Sequence, residues 1–381
     1  NYPVSGSIYT LPGGSVFNGE FVNASNPKGI ANRDISWYTM KTWDVGVDMG
    51  LFNNRLTFTF DWFTRKREGL YATRNLSLPG SVGASLPREN LNSDRDSGFE
   101  IEIGHSNRIG EFSYSVKGNI SYTRRKTCYY EQAKAGNSYL NWRRNVNDRY
   151  NDIWWGYGAD GRITDWNTLY YNPVYIGRGS VMGDYLYEDW NGDGMINDLD
   201  VHPIADSGTV PLFNYGITLS GEWRGIDLTM LWQGSGNRYI TAREFLKEPL
   251  WSNTNAIAEH MNRWHPKEPM ANPYDPATEW VEGEYGYTGT VANESSNHAL
   301  ENARYLRLKN IELGYTLPRK WVSKAGMSNV RIYVSGYNML TFSGLKYLDP
   351  EFYMHPTAGG VSNLGYCVVY TKDAAAALTR V

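Results

Sequence analysis

Cysteine is almost missing from this chain. The two residues Cys128 and Cys367 cannot build a disulfide framework, and a single bridge between them competes with two unrelated residues at strand ends. Long apolar runs are missing too. A membrane helix needs about 20 consecutive, mostly apolar residues, no stretch comes near that, and the mean hydropathy is −0.53. Helical spanning is thereby excluded, whereas a membrane β-barrel is not, because its strands alternate and average to low hydropathy. An excess of one charge is also lacking: 37 basic against 40 acidic side chains leave a net charge of −3, with no electrostatic call for nucleic acid. The chain opens on Asn1 with no basic, apolar leader, so it reads as processed or as a fragment. Its 381 residues by themselves suggest two or three ordinary domains.

Rings are plentiful instead, with 29 Tyr, 14 Trp and 12 Phe, and many fall on alternating positions. Trp43, Val45, Val47 and Met49 share one side of a strand, with Asp44, Gly46 and Asp48 on the other. After the Asn-rich turn at Leu51 to Asn54, Leu56, Phe58, Phe60 and Trp62 repeat the pattern, which predicts a hairpin. Phe99, Ile101 and Ile103 pair with Phe112, Tyr114 and Val116 across a short turn, and Phe213 to Leu219 pair with Leu228, Met230 and Trp232 across Arg224-Gly225. Tyr305 to Leu317 and Val330 to Phe342 supply two more strands. A ninth, Tyr366 to Val381, is weaker because Ala374 to Ala377 favours helix as much.

The connections carry more information than the strands. They are short at 51–54, 106–111 and 224–225, medium at 318–329, and long at 73–95, 127–211, 237–302 and 343–365. Such alternation predicts an antiparallel transmembrane β-barrel with short periplasmic turns and long extracellular loops. Residues 1–36 then form an extracellular loop segment and 37–381 the C-terminal part of the barrel, with the N-terminal plug absent. Trp37, Trp43, Trp62, Trp223, Trp232 and Trp321 near strand ends fit interfacial girdles. Core packing in a soluble sandwich is the competing explanation of the rings.

Longer motifs sharpen this. Tyr305-Leu306-Arg307-Leu308-Lys309-Asn310-Ile311-Glu312-Leu313-Gly314-Tyr315-Thr316-Leu317-Pro318 resembles a C-terminal strand signature of SusC/RagA-type TonB-dependent transporters of Bacteroidota. Val330 to Asn338, Leu340-Thr341-Phe342 and Asp349-Pro350-Glu351 are similar to the next segment of that family. Trp43 to Leu56 and Asp189-Trp190-Asn191-Gly192-Asp193-Gly194 add earlier matches, so the likeness extends over roughly residues 37 to 365. The resemblance implies an all-β fold, a 22-stranded plugged barrel of which about nine strands are present. It implies import of a glycan or oligopeptide, a SusD-like surface lipoprotein as lid, TonB as the energy source, and outer-membrane lipid around the wall. Family members usually end on an aromatic residue, whereas this chain stops at Val381 after a segment without alternation, so its natural terminus is expected to be missing or altered.

One loop has cation-binding spacing. Asp189, Asn191, Asp193, the Met195 carbonyl, Asn197 through a water, and Asp200 occupy positions 1, 3, 5, 7, 9 and 12 of a Ca²⁺ loop, with Gly194 at the sharp turn. Position 12 is Asp rather than the Glu of an EF-hand, and no helices are expected to flank it. A polar turn whose side chains merely hold the backbone is the alternative to bound Ca²⁺.

No catalytic residue is assigned. The chain lacks His-Glu-x-x-His, Gly-x-Ser-x-Gly and the phosphate-cradling Gly-x-x-x-x-Gly-Lys, and His260 and His265 have no third ligand in sight. Substrate contacts are expected instead from Trp142, Arg143, Arg144, Trp154, Trp155 and Trp166, which crowd one long loop with rings and cations suited to sugars or peptide carboxylates. Packing of the loop's own core is the competing explanation of those rings. A second class of function stays open: a secreted β-rich carbohydrate-binding or glycan-degrading protein, which needs both sheet faces covered by protein.

Overall fold

The structure, a computed structural model, describes residues 9–10, 13–23, 26–27, 32–75, 86–175, 180–241, 256, 258–287, 296–298, 300–345 and 349–351. Eight long strands dominate it: β1 (Thr39–Leu51), β2 (Leu56–Thr73), β3 (Arg88–Ile109), β4 (Phe112–Tyr129), β5 (Phe213–Trp223), β6 (Ile226–Gly236), β7 (Tyr305–Thr316) and β8 (Arg331–Ser343). They lie in one sheet in chain order, each bonded to its sequence neighbours, with the two-residue strand Arg149–Tyr150 added beside β4. This is an up-and-down meander. Its tight turns suit their residues: Phe52, Asn53 and Asn54 at φ 54 to 62, and Arg224-Gly225 at φ 50 and 86, adopt the left-handed backbone that two-residue and Asn-rich hairpins require.

The chain divides into two compact units, one of residues Asn1–Gly46, Asp61–Phe99 and Thr123–Asn151, the other of Val47–Phe60, Glu100–Tyr122 and Asp152–Val381. In the second unit the register of β4 to β8 sorts the side chains cleanly. Phe112, Trp223, Ile226, Tyr315 and Ile332 stand opposite one another across five strands. Tyr114, Gly221, Leu228, Leu313 and Val334 make the next row, and Val116, Leu219, Met230, Ile311 and Gly336 the one after. Ile120, Tyr215, Gly234, Leu306 and Phe342 lie further along. No charged residue interrupts these rows. The opposite face carries Ser113, Glu222 and Asp227 in one row, and Ser115, Ser220, Thr229, Glu312 and Ser335 in the next.

The apolar rows span Phe112 to Tyr122, a length along the strand of about 33 Å, which a tilt near 40° reduces to the ~25 Å of a membrane barrel's apolar band. Their side chains are open to the surroundings: Val334 is 73% exposed and Leu313 53%. A bulge at Lys309, opposite the left-handed Asn338 (φ 54), resets the register so that Leu308 still faces Trp232.

In the first unit the strands run further than the hydrophobic alternation predicts. β2 continues to Thr73 and β3 begins at Arg88, so the connections contract to 74–87 and 110–111, and the third becomes 130–212. The added lengths are polar. Arg67 bonds Asp94, and Arg125 bonds Asp96 at 2.6 Å, across neighbouring strands, so ion pairs take over the cross-strand contacts where apolar residues stop. Near the start of the chain, Gly14–Phe17 and Glu20–Asn23 form a small exposed hairpin. Cys128 is a half-buried free thiol; Cys367 and the expected ninth strand lie outside the described residues.

Candidate functional site

On the polar face of the second unit, charged groups interlock. Arg331 donates through Nε to Asp227 (3.0 Å) and through Nη2 to Glu312 (2.6 Å). Further along, buried Arg307 on β7 donates to Asp349 (2.8 Å), Glu351 (3.1 Å) and the Thr341 hydroxyl (2.9 Å). Lys309 holds Glu351 at 2.7 Å, and Arg238 donates to the Pro350 carbonyl. The segment after β8 is therefore clasped back onto the polar face. Asn214, Gln233, Ser235, Tyr305 and Glu351 border an open recess of about 260 Å³ beside it, smaller than the usual ligand pocket of roughly 300–1,000 Å³. The sequence marked Asp349-Pro350-Glu351 only as a familiar motif. The signal for its role was present in Arg307, a cation on the polar side of an otherwise apolar alternation.

The excursion between β4 and β5 packs around two small cores, the second completed by Trp264 and Trp280 from the connection between β6 and β7. Tyr157, Tyr187 and Ile196 form one, and Ile163, Met182 and Trp264 another, with Trp166 and Trp280 packed against it. Short ladders, 154–156 with 202–205 and 159–162 with 185–187, tie the excursion together. Gly183 sits at φ 84 with the Trp264 ring where a Cβ would lie, so only glycine fits. Asp165 caps helix α2 (Trp166–Tyr171), accepting from the Thr168 amide (2.9 Å) and hydroxyl (2.7 Å). These bonds hold its carboxyl below the usual range.

The six expected substrate contacts fall into both units. Trp142, Arg143 and Arg144 end the short helix α1 (Ser138–Arg144) in the first; Trp142 and Arg144 are exposed, and Arg149 donates to the Trp142 carbonyl at 2.8 Å. Trp154, Trp155 and Trp166 belong to the second. The first two are half-buried on the 154–156 ladder, and Trp166 packs in the core around Met182. Trp142, Arg143 and Arg144 thus belong to one unit, and Trp154, Trp155 and Trp166 to the other.

In the 189–200 loop the oxygens face the backbone. Asp189 accepts from the amides of Gly192 (2.8 Å), Asp193 (3.2 Å) and Gly194 (2.8 Å). Asn191 accepts from Asp193 (2.8 Å), and Asp193 from Met195 (2.9 Å). Asp200, fully buried, accepts from the amides of Asn191 (3.3 Å) and Asn197 (2.7 Å). The Trp190 ring stacks on His202 at 3.9 Å, and the His202 Nδ1 donates to the Asp200 carbonyl at 2.9 Å. Among the described residues no group of three or more His, Cys, Asp or Glu side chains is gathered to hold a metal ion. The loop does wrap its oxygens around a single turn, the precondition for an oxygen-rich cation site. His260 and His265 take no part in any such group. His260 is buried against Tyr285, and His265 bonds the Pro266 carbonyl.

A chain-order antiparallel meander with one apolar and one polar face is the wall of a transmembrane β-barrel, here a portion of a larger one. No helix among the described residues is long and apolar enough to cross a membrane. No protein-family model matches the sequence. Relatives do: it is 28% identical to TonB-dependent receptor P3 of Formosa agariphila over 91% of this chain and 33% of that protein. It is 24% identical to TonB-dependent receptor SusC of Bacteroides thetaiotaomicron over 88% of this chain and 32% of that protein. In fold it matches the RagAB peptide importer in its open-open state, with a TM-score of 0.62 and 18% identity over 90% of this chain and 35% of that one. The resemblance to SusC/RagA-type TonB-dependent receptors thus holds along nearly all of the chain, which spans about a third of the length of the curated relatives it matches.

Proposed function

We propose that this chain is wall and loops of an outer-membrane importer energised through TonB, taking up a glycan or oligopeptide with a SusD-like surface lipoprotein over its mouth. The observation that carries the reading is the division of the β4 to β8 sheet into uncharged apolar rows and a polar face. Exposed apolar rows of that height meet lipid without penalty, and the polar face borders a wet lumen. A soluble protein with this face uncovered would aggregate. The long connections then lie outside the cell and the two-residue turns on the periplasmic side, and transport involves no covalent chemistry on the substrate. In the same reading a Ca²⁺ ion on Asp189, Asn191, Asp193, the Met195 carbonyl, Asn197 and Asp200 stiffens the external excursion.

Cell fractionation tests the proposal. The gene product is expected in the outer membrane and to need detergent for extraction. Recovery as a soluble protein from periplasm or medium would sink it and leave the secreted carbohydrate-binding or glycan-degrading protein.

A further inference from the structure

The first unit carries a charge pattern that import does not require. Arg67 pairs with Asp94, and Arg125 with Asp96, so these four side chains share one face of β2, β3 and β4. Residues of the other parity point to the opposite face, where the hydroxyls of Thr64 and Ser97 meet at 2.8 Å. That face bears Trp43, Val45, Trp62 and Phe99. Two to four residues nearer the long connections, the same three strands carry Lys41, Lys66 and Arg95, and β4 continues the level with Arg124 and Lys126.

Glu68 and Asp148 meet three of the cations at this level. Glu68 is shared between Lys41 (2.7 Å) and Lys66 (2.6 Å), and exposed Asp148 meets Lys126 at 2.7 Å. Arg95 is exposed and makes no ion pair among the described residues. The Arg124 guanidinium lies 3.9 Å over the Tyr150 ring, which stands opposite Lys126. The first unit thus holds a basic belt although the whole chain is net −3.

We propose that this belt seats the phosphates of phosphorylated lipid headgroups in the leaflet that borders the long connections. The inference rests on the membrane reading above. Cations that follow aromatic and apolar side chains directly along each strand sit at headgroup depth when those side chains sit among acyl chains. At least one cation per strand, at one level on four adjacent strands, matches a planar layer of phosphate. An acidic protein partner has no need of that level arrangement.

The test uses the protein extracted from its own outer membrane and transferred to phosphatidylcholine nanodiscs containing bisphosphorylated lipid A or its dephosphorylated form. Native mass spectrometry then counts retained glycolipid. The wild type is expected to retain the phosphorylated form preferentially. The combined Lys41→Gln, Lys66→Gln, Arg95→Gln, Arg124→Gln variant is expected to lose that preference by roughly fivefold per charge removed. The Lys66→Arg, Arg95→Lys variant keeps it, which separates charge from assembly.

Equal retention of both lipids by the wild type would overturn the belt. So would full displacement by millimolar inorganic phosphate, the mark of a free-anion site, or loss of a bound acidic protein from the variant with lipid counts unchanged. A protein absent from the membrane fraction overturns the membrane reading itself, whereas an embedded protein without lipid preference overturns only the belt.

Discussion

Arg307 on β7 and Asp349, forty-two residues later, form a two-pronged ion pair, with Nη2 to Oδ1 at 2.8 Å and Nη1 to Oδ2 at 3.3 Å. The guanidinium is buried and the carboxylate about one-third exposed, so the pair fastens a loop to the polar face of the sheet. Asp349→Ala leaves Glu351 as the remaining anion, and the loss is expected to be about 1–2 kcal/mol. Arg307→Met removes both attachments and costs more. Hydrogen exchange at residues 349–351 in the detergent-solubilised protein reads the change; unaltered protection in Arg307→Met would refute the clasp.

Gly183→Ala forces a Cβ into the Trp264 ring and a side chain onto a left-handed backbone. Destabilisation of the excursion by about 2 kcal/mol or more is expected. Protease nicking between residues 152 and 212 measures it, and wild-type resistance would contradict the packing.

The two sheet faces respond oppositely to charge. Ile217→Arg places a cation in the apolar rows, with a cost of about 2–4 kcal/mol at the bilayer midplane, and membrane-assembled protein should fall sharply. Thr218→Arg, one residue on, enters the polar face and is expected to assemble normally. Equal yields of the two variants would refute the facial assignment.

His298 provides a pH dependence. Its Nε2 donates to the Leu186 carbonyl at 3.2 Å, and Tyr185 lies 4.2 Å away between ring centres. Burial pulls its pKa down, outweighing the carbonyl bond that pushes it up. The unfolded chain therefore binds the proton more readily. The contribution is full above the unfolded value of about 6.5 and is lost as pH falls through the lower folded pKa. Protection at 185–187, corrected for the intrinsic slowing of amide exchange in acid, should fall on acidification in the wild type, and His298→Phe should flatten that dependence.

Calorimetric titration of chelator-stripped protein with Ca²⁺ addresses the 189–200 loop. Heat that vanishes in Asp193→Ala supports the ion. No heat in the wild type leaves a polar turn, with the Asp189 and Asp193 bonds to backbone amides as its complete account.

Alternation made the eight strands and the two tight hairpin turns legible, because Phe213 to Leu219 or Leu228 to Trp232 repeat every second residue. It could not mark where β2, β3 and β4 end. Beyond Trp62 and before Phe99 the ladder continues on Arg67, Asp94, Asp96 and Arg125, whose pairing depends on register rather than hydropathy. Arg307 stood out locally as a cation in its strand, but its partner Asp349 was hidden for the same reason, since a contact forty-two residues away leaves no local trace of what the cation binds. Trp166 and Trp142 looked alike in the sequence, and only tertiary packing separates the ring within a core from the exposed one.

The excursion from Tyr129 to Phe213 bears on the order of folding. Closing a flexible loop of some eighty residues delays the pairing of β4 with β5 relative to the hairpins joined by two residues. The core of Tyr157, Tyr187 and Ile196 folds residues 154–205 on themselves, and the core of Ile163 and Met182 also takes in Trp264 from the later connection, so less loop remains to be closed once both cores form. Formation of those cores is then the step on which the middle of the wall waits, and lesions there should slow barrel assembly although they touch no membrane strand.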